Sequence, residues 1–294
     1  MVQSKIKGVG AALVTPFDAN HQIDFVAFKR LLDHTASIGV DYWVVQGTTG
    51  ESPTTTLQEK NKLLEFSKAN NPKNLPIVYG IGGNNTAQML DIIKQTDFSG
   101  VCAVLSASPY YNKPSQAGII AHYEKIADAS PVPLILYNVP GRTASNISAQ
   151  TTLHLAQHPN IVAIKEASAN ILQCMEIAHR KPKDFLLISG DDMLTLPMIS
   201  FGAEGVISVM ANAFAAFNDM THLALEGKFA EASQKLFSLL ALNDLMYVEG
   251  NPVGVKQTLA LMGVCSAEVR LPLLRASEEL KSKISALLEK LSLK

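Results

Sequence analysis

The chain has 294 residues, of which 47% are apolar and 17% charged, with a formal net charge of -1. That composition excludes a disordered or fibrous chain, and the balanced charge leaves no footprint for nucleic acid or an acidic membrane surface. The length suits one large α/β domain or two smaller ones, and no stretch reaches the unbroken apolar length of a membrane span.

From the N-terminus, the first apolar run, "GVGAALVTPF", stops at Pro16 and Asp18 and lacks the h-region and cleavage pattern of a signal peptide. Asp24 then reads as an N-cap. Phe28, Leu31 and Leu32 repeat at helical spacing after it, and Gly39 sits where a C′ glycine belongs. Further runs follow in order: "DYWVVQGTTG", "LPIVYGIGG", "GVCAVLSASPYY", "VPLILYNVPGR", "IVAIKEAS", "FLLISGDD" and "AEGVISVMAN". Near-continuous apolar runs of this kind are strands covered on both faces, as in parallel sheets. Helical patterns such as "TLQEKNKLLEFSKAN" and "TAQMLDIIKQT" fill the gaps. The alternation predicts an α/β fold, a (β/α)8 TIM barrel over residues 1–213. A doubly wound sheet is the alternative, but no strand is followed by a clear dinucleotide fingerprint. From about Phe214 the pattern is helical, including "MTHLALEGKFAEASQKLFSLLALNDLMY" and a final stripe of Ile284, Leu287, Leu288 and Leu291. Residues 214–294 therefore read as a C-terminal helical extension packed on the barrel.

Chemistry in a barrel lies at the C-terminal strand ends. In "IVAIKEAS", alternation puts Ile161, Ala163 and Lys165 on one face and Val162, Ile164 and Glu166 on the other. One of the two ionisable residues thus faces the axis. An amine taken out of water loses its charged form more readily, and a neutral amine attacks a ketone to form a Schiff base. A structural lysine–glutamate pair, or a lysine reaching to the rim, would account for Lys165 equally.

In "YNVPGRT", Tyr137 offers a phenol for proton transfer and Arg142 a fork for a carboxylate; a core cap and a surface pair are the plainer readings. "GTTGES" offers hydroxyls and a backbone nest for a small carboxylate, or an ordinary turn. Adjacent Tyr110 and Tyr111 point in different directions, so at most one reaches a shared site. "GIGGNN" reads as a βα turn rather than a phosphate cradle. His154 and His158 are four apart but lack a third ligand pattern, and Asp191 and Asp192 diverge as strand neighbours, so no metal is expected. Neither a GxSxG elbow nor a Walker lysine motif is present. Cys102, Cys174 and Cys265 form no CxxC pair and read as reduced, buried thiols of a cytoplasmic protein.

Taken in order, "GTTGES", "PYYNKPS", "YNVPGRT", "IKEAS", "SGDD" and "GVISV" resemble the dihydrodipicolinate synthase family, within the pyruvate-dependent class I aldolases. The similarity runs from about Gly8 to "NPVGVK" at Lys256. It implies condensation of pyruvate with L-aspartate 4-semialdehyde through an imine on Lys165, giving 4-hydroxy-tetrahydrodipicolinate in the diaminopimelate branch of lysine biosynthesis, without metal or organic cofactor. It implies a proton relay of Tyr137, Thr48 and Tyr111, the last reaching into a neighbouring subunit of a homotetramer built as a dimer of dimers. Thr49 would hold the pyruvate carboxylate, Gly190 and Ile207 would flank the imine, and Arg142 would bind the semialdehyde carboxylate, which favours this substrate over a sugar acid. The family's allosteric lysine pocket maps onto Ser52, Leu57, Lys60, Asn84, Gln88 and Tyr110. Leu57, Lys60 and Gln88 replace its histidines and glutamate, so feedback inhibition by L-lysine is expected to be weak or absent. A keto-acid sensor or an inactive paralogue is the competing class, which the presence of Lys165, Tyr137, Thr48 and Arg142 argues against.

Overall fold

The structure, a computed structural model, describes residues 2–291. Eight parallel strands close into a barrel in sequence order: β1 Gly8–Ala12, β2 Tyr42–Val45, β3 Ile77–Gly80, β4 Val101–Ala107, β5 Leu134–Asn138, β6 Ile161–Glu166, β7 Leu186–Ser189 and β8 Gly205–Ser208. Closure pairs β1 with β8, Gly8 opposite Gly205 and Gly10 opposite Ile207. A Cβ on Gly205 would run into the Gly8 backbone, so only glycine lets the seam close this tightly.

The helices of the barrel are α1 Phe25–Ser37, α2 Leu57–Ala69, α3 Thr86–Gln95, α4 Gln116–Ala129, α5 Pro140–Thr143, α6 Ala149–Leu155, α7 Ile171–Arg180 and α8 Thr195–Ser200. The C-terminal part carries α9 Ala215–Leu225, α10 Phe229–Tyr247, α11 Val253–Leu261 and α12 Glu278–Lys290. α9 lies against β1 and β8, so the first helix beyond residue 213 rests on the barrel wall. Local chemistry sets several of these boundaries. The Asp24 carboxylate accepts from Ala27 N at 2.9 Å to start α1, and Gly39 follows its end with φ +88°. Thr56 and Glu59 form a reciprocal capping box on α2. The helical stretch from Met220 to Tyr247 is two helices, not one: Gly227, at φ +79°, ends α9 before α10 begins.

Two apolar clusters explain the continuous runs. Tyr42, Val44, Val78, Ile135, Ala163, Ile188 and Ile207 fill the barrel interior, while Trp43, Val45, Ile164, Leu187 and Val206 pack outward under the helices. In β6 the expected alternation breaks once. A register shift against β5 pairs Leu134 with Ile161 and Ile135 with Ala163, and Val162 joins the interior cluster while Ile161 packs outward. From Ala163 onward the alternation holds, which leaves Lys165 facing inward. Among the described residues, no helix is long and apolar enough to cross a membrane.

Candidate active site

Lys165 ends the inward face of β6 and is only 6% exposed. It pairs in register with Tyr137 of β5 on one side and Ile188 of β7 on the other. Its Nζ stands 4.2 Å from the centroid of the Tyr137 ring. Glu166 points the opposite way and is fully engaged. Its carboxylate accepts from Asn138 Nδ2 at 3.1 and 3.0 Å, from Ser168 N at 2.8 Å and from Gln173 Nε2 at 2.9 Å. These amide donors satisfy the buried carboxylate without the lysine. The structural lysine–glutamate pair is therefore not made, and the Lys165 nitrogen is left beside the tyrosine ring with no carboxylate partner among the described residues.

The wall beside Lys165 is Gly190, directly after β7. A Cβ there would approach both the lysine stem and Ala167. Ile207 of β8, 1% exposed, belongs to the interior cluster that also holds Tyr137 and Ile188. The two aspartates after Gly190 diverge. Asp191 Oδ1 accepts from Met193 N and Leu194 N and shapes the turn. Asp192 Oδ2 accepts from Met210 N at 3.1 Å and from the Tyr247 hydroxyl at 2.9 Å. Burial pushes the Asp192 carboxyl above its ordinary range, opposed by those donors and by Ser208.

Thr48 and Thr49 lie in a 3-10 turn, Thr48–Gly50, after β2. Thr49 is buried and its Oγ1 accepts from Asn251 Nδ2 at 3.1 Å; Thr48 is half-buried. The turn is bounded by Gln46 at φ 63° and Glu51 at φ 53°, both left-handed without being glycine. Gly80 of β3 makes room for it, because a Cβ there would collide with the Gln46 carbonyl. Asn251, Glu51 and Lys256, which support this turn, were not singled out by the sequence. Lys256 is the only lysine inside the apolar run "VGVKQTLAL", the one signal that could have marked it.

Arg142 sits on α5, one helical turn beyond β5; it is exposed, and its guanidinium has no hydrogen bond or ion pair among the described residues. Tyr111 stands on the loop after β4 and is 88% exposed. Of the residues that the resemblance assigns to a lysine pocket, Asn84 Nδ2 donates to the Tyr110 carbonyl at 3.1 Å. Ser52, Leu57 and Lys60 are half-buried and Gln88 is exposed. Burial lowers the Lys60 ammonium from its ordinary range.

His154 and His158 face the carboxylates of Glu124 and Asp128 at 3.2 and 3.1 Å, which are surface pairs. No group of three or more His, Cys, Asp or Glu suited to a metal ion is found among the described residues. The cysteines are free; Cys174 and Cys265 are buried as expected, but Cys102 is only half-buried, and desolvation pushes Cys102 and Cys265 up to about 11 and Cys174 up to about 12.

A family model described as the dihydrodipicolinate synthetase family matches residues 5–291. The chain is 53% identical over 278 residues to the 4-hydroxy-tetrahydrodipicolinate synthase of Cytophaga hutchinsonii, covering 94% of each chain. The solved dihydrodipicolinate synthase of Aquifex aeolicus superposes with a TM-score of 0.94 at 37% identity, covering 98% of this chain and 99% of that one. The enzyme of Cyanidioschyzon merolae, solved with lysine bound, gives 0.93 at 36% identity over 98% and 99%.

Proposed function

The chain belongs to the dihydrodipicolinate synthetase family, and we propose that Lys165 is the residue through which it condenses pyruvate with L-aspartate 4-semialdehyde. The observation that carries this reading is a buried Lys165 at an inward strand end, free of Glu166 and with a tyrosine ring against its nitrogen. Its amine attacks C2 of pyruvate, water leaves, and an imine forms. The protonated imine draws electrons from the methyl carbon, which loses a proton to give an enamine. The enamine carbon attacks the aldehyde of the semialdehyde. The substrate amine then displaces Lys165 and closes the ring, releasing 4-hydroxy-tetrahydrodipicolinate. Because the imine is the electron sink, this sequence calls for no metal or organic cofactor.

Tyr137 and Thr48 pass protons in this reading, completed by the partner subunit's Tyr111, and the assembly is a homotetramer, a dimer of dimers. Thr49 and its turn hold the pyruvate carboxylate. Gly190 and Ile207 border the imine. Arg142, with an uncommitted guanidinium, takes the carboxylate of the semialdehyde. The barrel supplies the chemistry, and the C-terminal helices α9 to α12 brace it. Three free cysteines with raised thiol pKa values suit a reducing cytoplasm.

Borohydride reduction in the presence of pyruvate tests the assignment. An adduct mapped to the Lys165 peptide, absent in Lys165→Met, is the expected result. A folded wild-type protein that gives no adduct would end the Schiff-base reading.

A further inference from the structure

The turn that carries Thr48 and Thr49 is held by two charges that are buried far from water. Lys256 Nζ donates to Glu51 Oε1 at 2.5 Å, with side-chain exposures of 0% and 1%. The second carboxylate oxygen of Glu51 accepts from Arg270 N at 3.0 Å. Lys256 is fixed in turn by a bond to the Glu268 carbonyl at 2.6 Å and by the Phe17 ring, 4.2 Å from its nitrogen. Glu51 is joined to the threonines by the main chain itself: its N–H donates to the Thr48 carbonyl at 3.1 Å. We propose that the Lys256–Glu51 pair is a positioning device, through which the C-terminal segment sets the Thr48–Thr49 turn for pyruvate.

Stability alone does not account for such a pair. Removing two charges from water costs so much that well-packed apolar residues of similar volume do as well or better. What the pair supplies is geometry. Glu51 is held in the left-handed region, which a β-carbon disfavours, and strain of that kind persists only where the surroundings over-determine it. Its carboxylate, gripped from α11 and from Arg270, supplies that constraint. Thr49 is aligned from the same segment, because its Oγ1 accepts from Asn251 and its own proton is left to donate. Gly50 is pinned from the barrel side, where its carbonyl accepts from Thr15 Oγ1 at 2.6 Å. The turn is thus clamped between the segment after β1 and the C-terminal helices. The inference rests on the proposed reaction, since it assigns the turn to the pyruvate carboxylate and to the relay.

The test uses full-length wild type, Glu51→Gln, Lys256→Met and the double variant, with thermal unfolding and borohydride trapping run on each. Both singles are expected to raise the pyruvate KM and lower kcat by about tenfold or more, as misplacement of a positioning group does. The semialdehyde KM, governed by Arg142 on α5, stays at the wild-type value. The double variant, which leaves no lone buried charge, folds and is no worse than either single, the signature of residues acting as one unit. A folded double variant with wild-type constants overturns the inference, as does a double variant that fails to fold, because the pair is then a stability element. Equal changes in both KM values also overturn it. If wild type itself gives no adduct, the reaction fails and this inference with it; an adduct in wild type with unaffected variants defeats this inference alone.

Discussion

A Cβ built on Gly190 would stand 2.9 Å from Cε and 3.0 Å from Cγ of Lys165, and 2.7 Å from Cβ of Ala167. The bare backbone of Gly190 is therefore the wall along which the lysine stem lies. Gly190→Ala should push the stem out of line while the strand ladder survives. We expect a stability loss of about 1–3 kcal/mol from overpacking. Imine formation with pyruvate should slow by up to about 10²-fold, the cost of a small misplacement of a reacting group. Single-turnover trapping measures it directly. A wild-type trapping rate in the alanine variant would remove Gly190 from any role in placing Lys165.

Arg142 is exposed, and its guanidinium makes no hydrogen bond or ion pair among the described residues. Arg142→Ala should leave the unfolding midpoint almost unmoved, within about 0.5 kcal/mol. Its effect should fall on one substrate. Loss of a charge-assisted pair to a carboxylate is worth about 1.5–3 kcal/mol, or roughly ten- to a hundredfold in the semialdehyde KM. The pyruvate KM should not follow. Steady-state kinetics with each substrate varied in turn decides it, and an unchanged semialdehyde KM would end the assignment.

Both residues stand in motifs that a reader of the sequence can find, yet neither the wall at Gly190 nor the free guanidinium of Arg142 is written there. The barrel was legible because its strands are covered on both faces and so read as unbroken apolar runs between glycines, prolines and asparagines. Asp24 and Gly39 marked the ends of α1 because capping is local chemistry. Which of Lys165 and Glu166 faces the axis was not legible. The register shift beside Val162 depends on how β5 and β6 meet, and the Glu166 partners Asn138 and Gln173 come from other elements. Nor was the clamp on the threonine turn. Glu51 and Lys256 are 205 residues apart, and no local pattern announces that Gln46 and Glu51 adopt left-handed backbone. The site residues named from motifs inherit their roles from resemblance; the groups that hold those residues in place come only from three-dimensional contacts.

L-Lysine should not inhibit. An effector with a cationic side chain needs a countercharge, and the corresponding wall here offers neutral Gln88 and the ammonium of Lys60. Lys60 is half-buried, has no carboxylate partner among the described residues, and has its pKa lowered by burial. A second ammonium beside it is repelled. Activity measured across an L-lysine titration should be flat through the sub-millimolar range. Lys60→His combined with Gln88→Glu should introduce inhibition. Sub-millimolar inhibition of the wild type would refute the argument.

Stability should fall in mild acid partly through His122. It is 5% exposed, its Nδ1 lies 2.8 Å from Thr86 Oγ1, and its Nε2 is buried without a partner among the described residues. Burial lowers its pKa from 6.5 to about 4. The native ring stays neutral while the unfolded chain takes up a proton below 6.5. The stability is thus complete above that pH and is lost as pH falls toward about 4, by at most about 3 kcal/mol. His122→Asn keeps a polar atom for Thr86 but does not titrate. The stability difference between wild type and variant, from urea unfolding, should therefore shift toward the variant between about pH 7 and about pH 4.5. A difference independent of pH would assign the acid sensitivity elsewhere.

Tyr111 combines a left-handed backbone, φ 73°, with 88% exposure. Its neighbour Tyr110 is tied down through its carbonyl, which accepts from Asn84 Nδ2 at 3.1 Å and Asn112 N at 2.9 Å. A strained backbone that thrusts a phenol into solvent makes sense where the phenol acts in another subunit. Lys165→Met and Tyr111→Phe should each be nearly inactive when pure. In a mixture allowed to exchange subunits, half of randomly paired dimers are mixed, and each has one of its two sites free of both defects. Activity should return to about a quarter of wild type, as a two-fold symmetric shared site requires. If native mass spectrometry shows the mixed dimers and no activity returns, Tyr111 serves its own barrel or none.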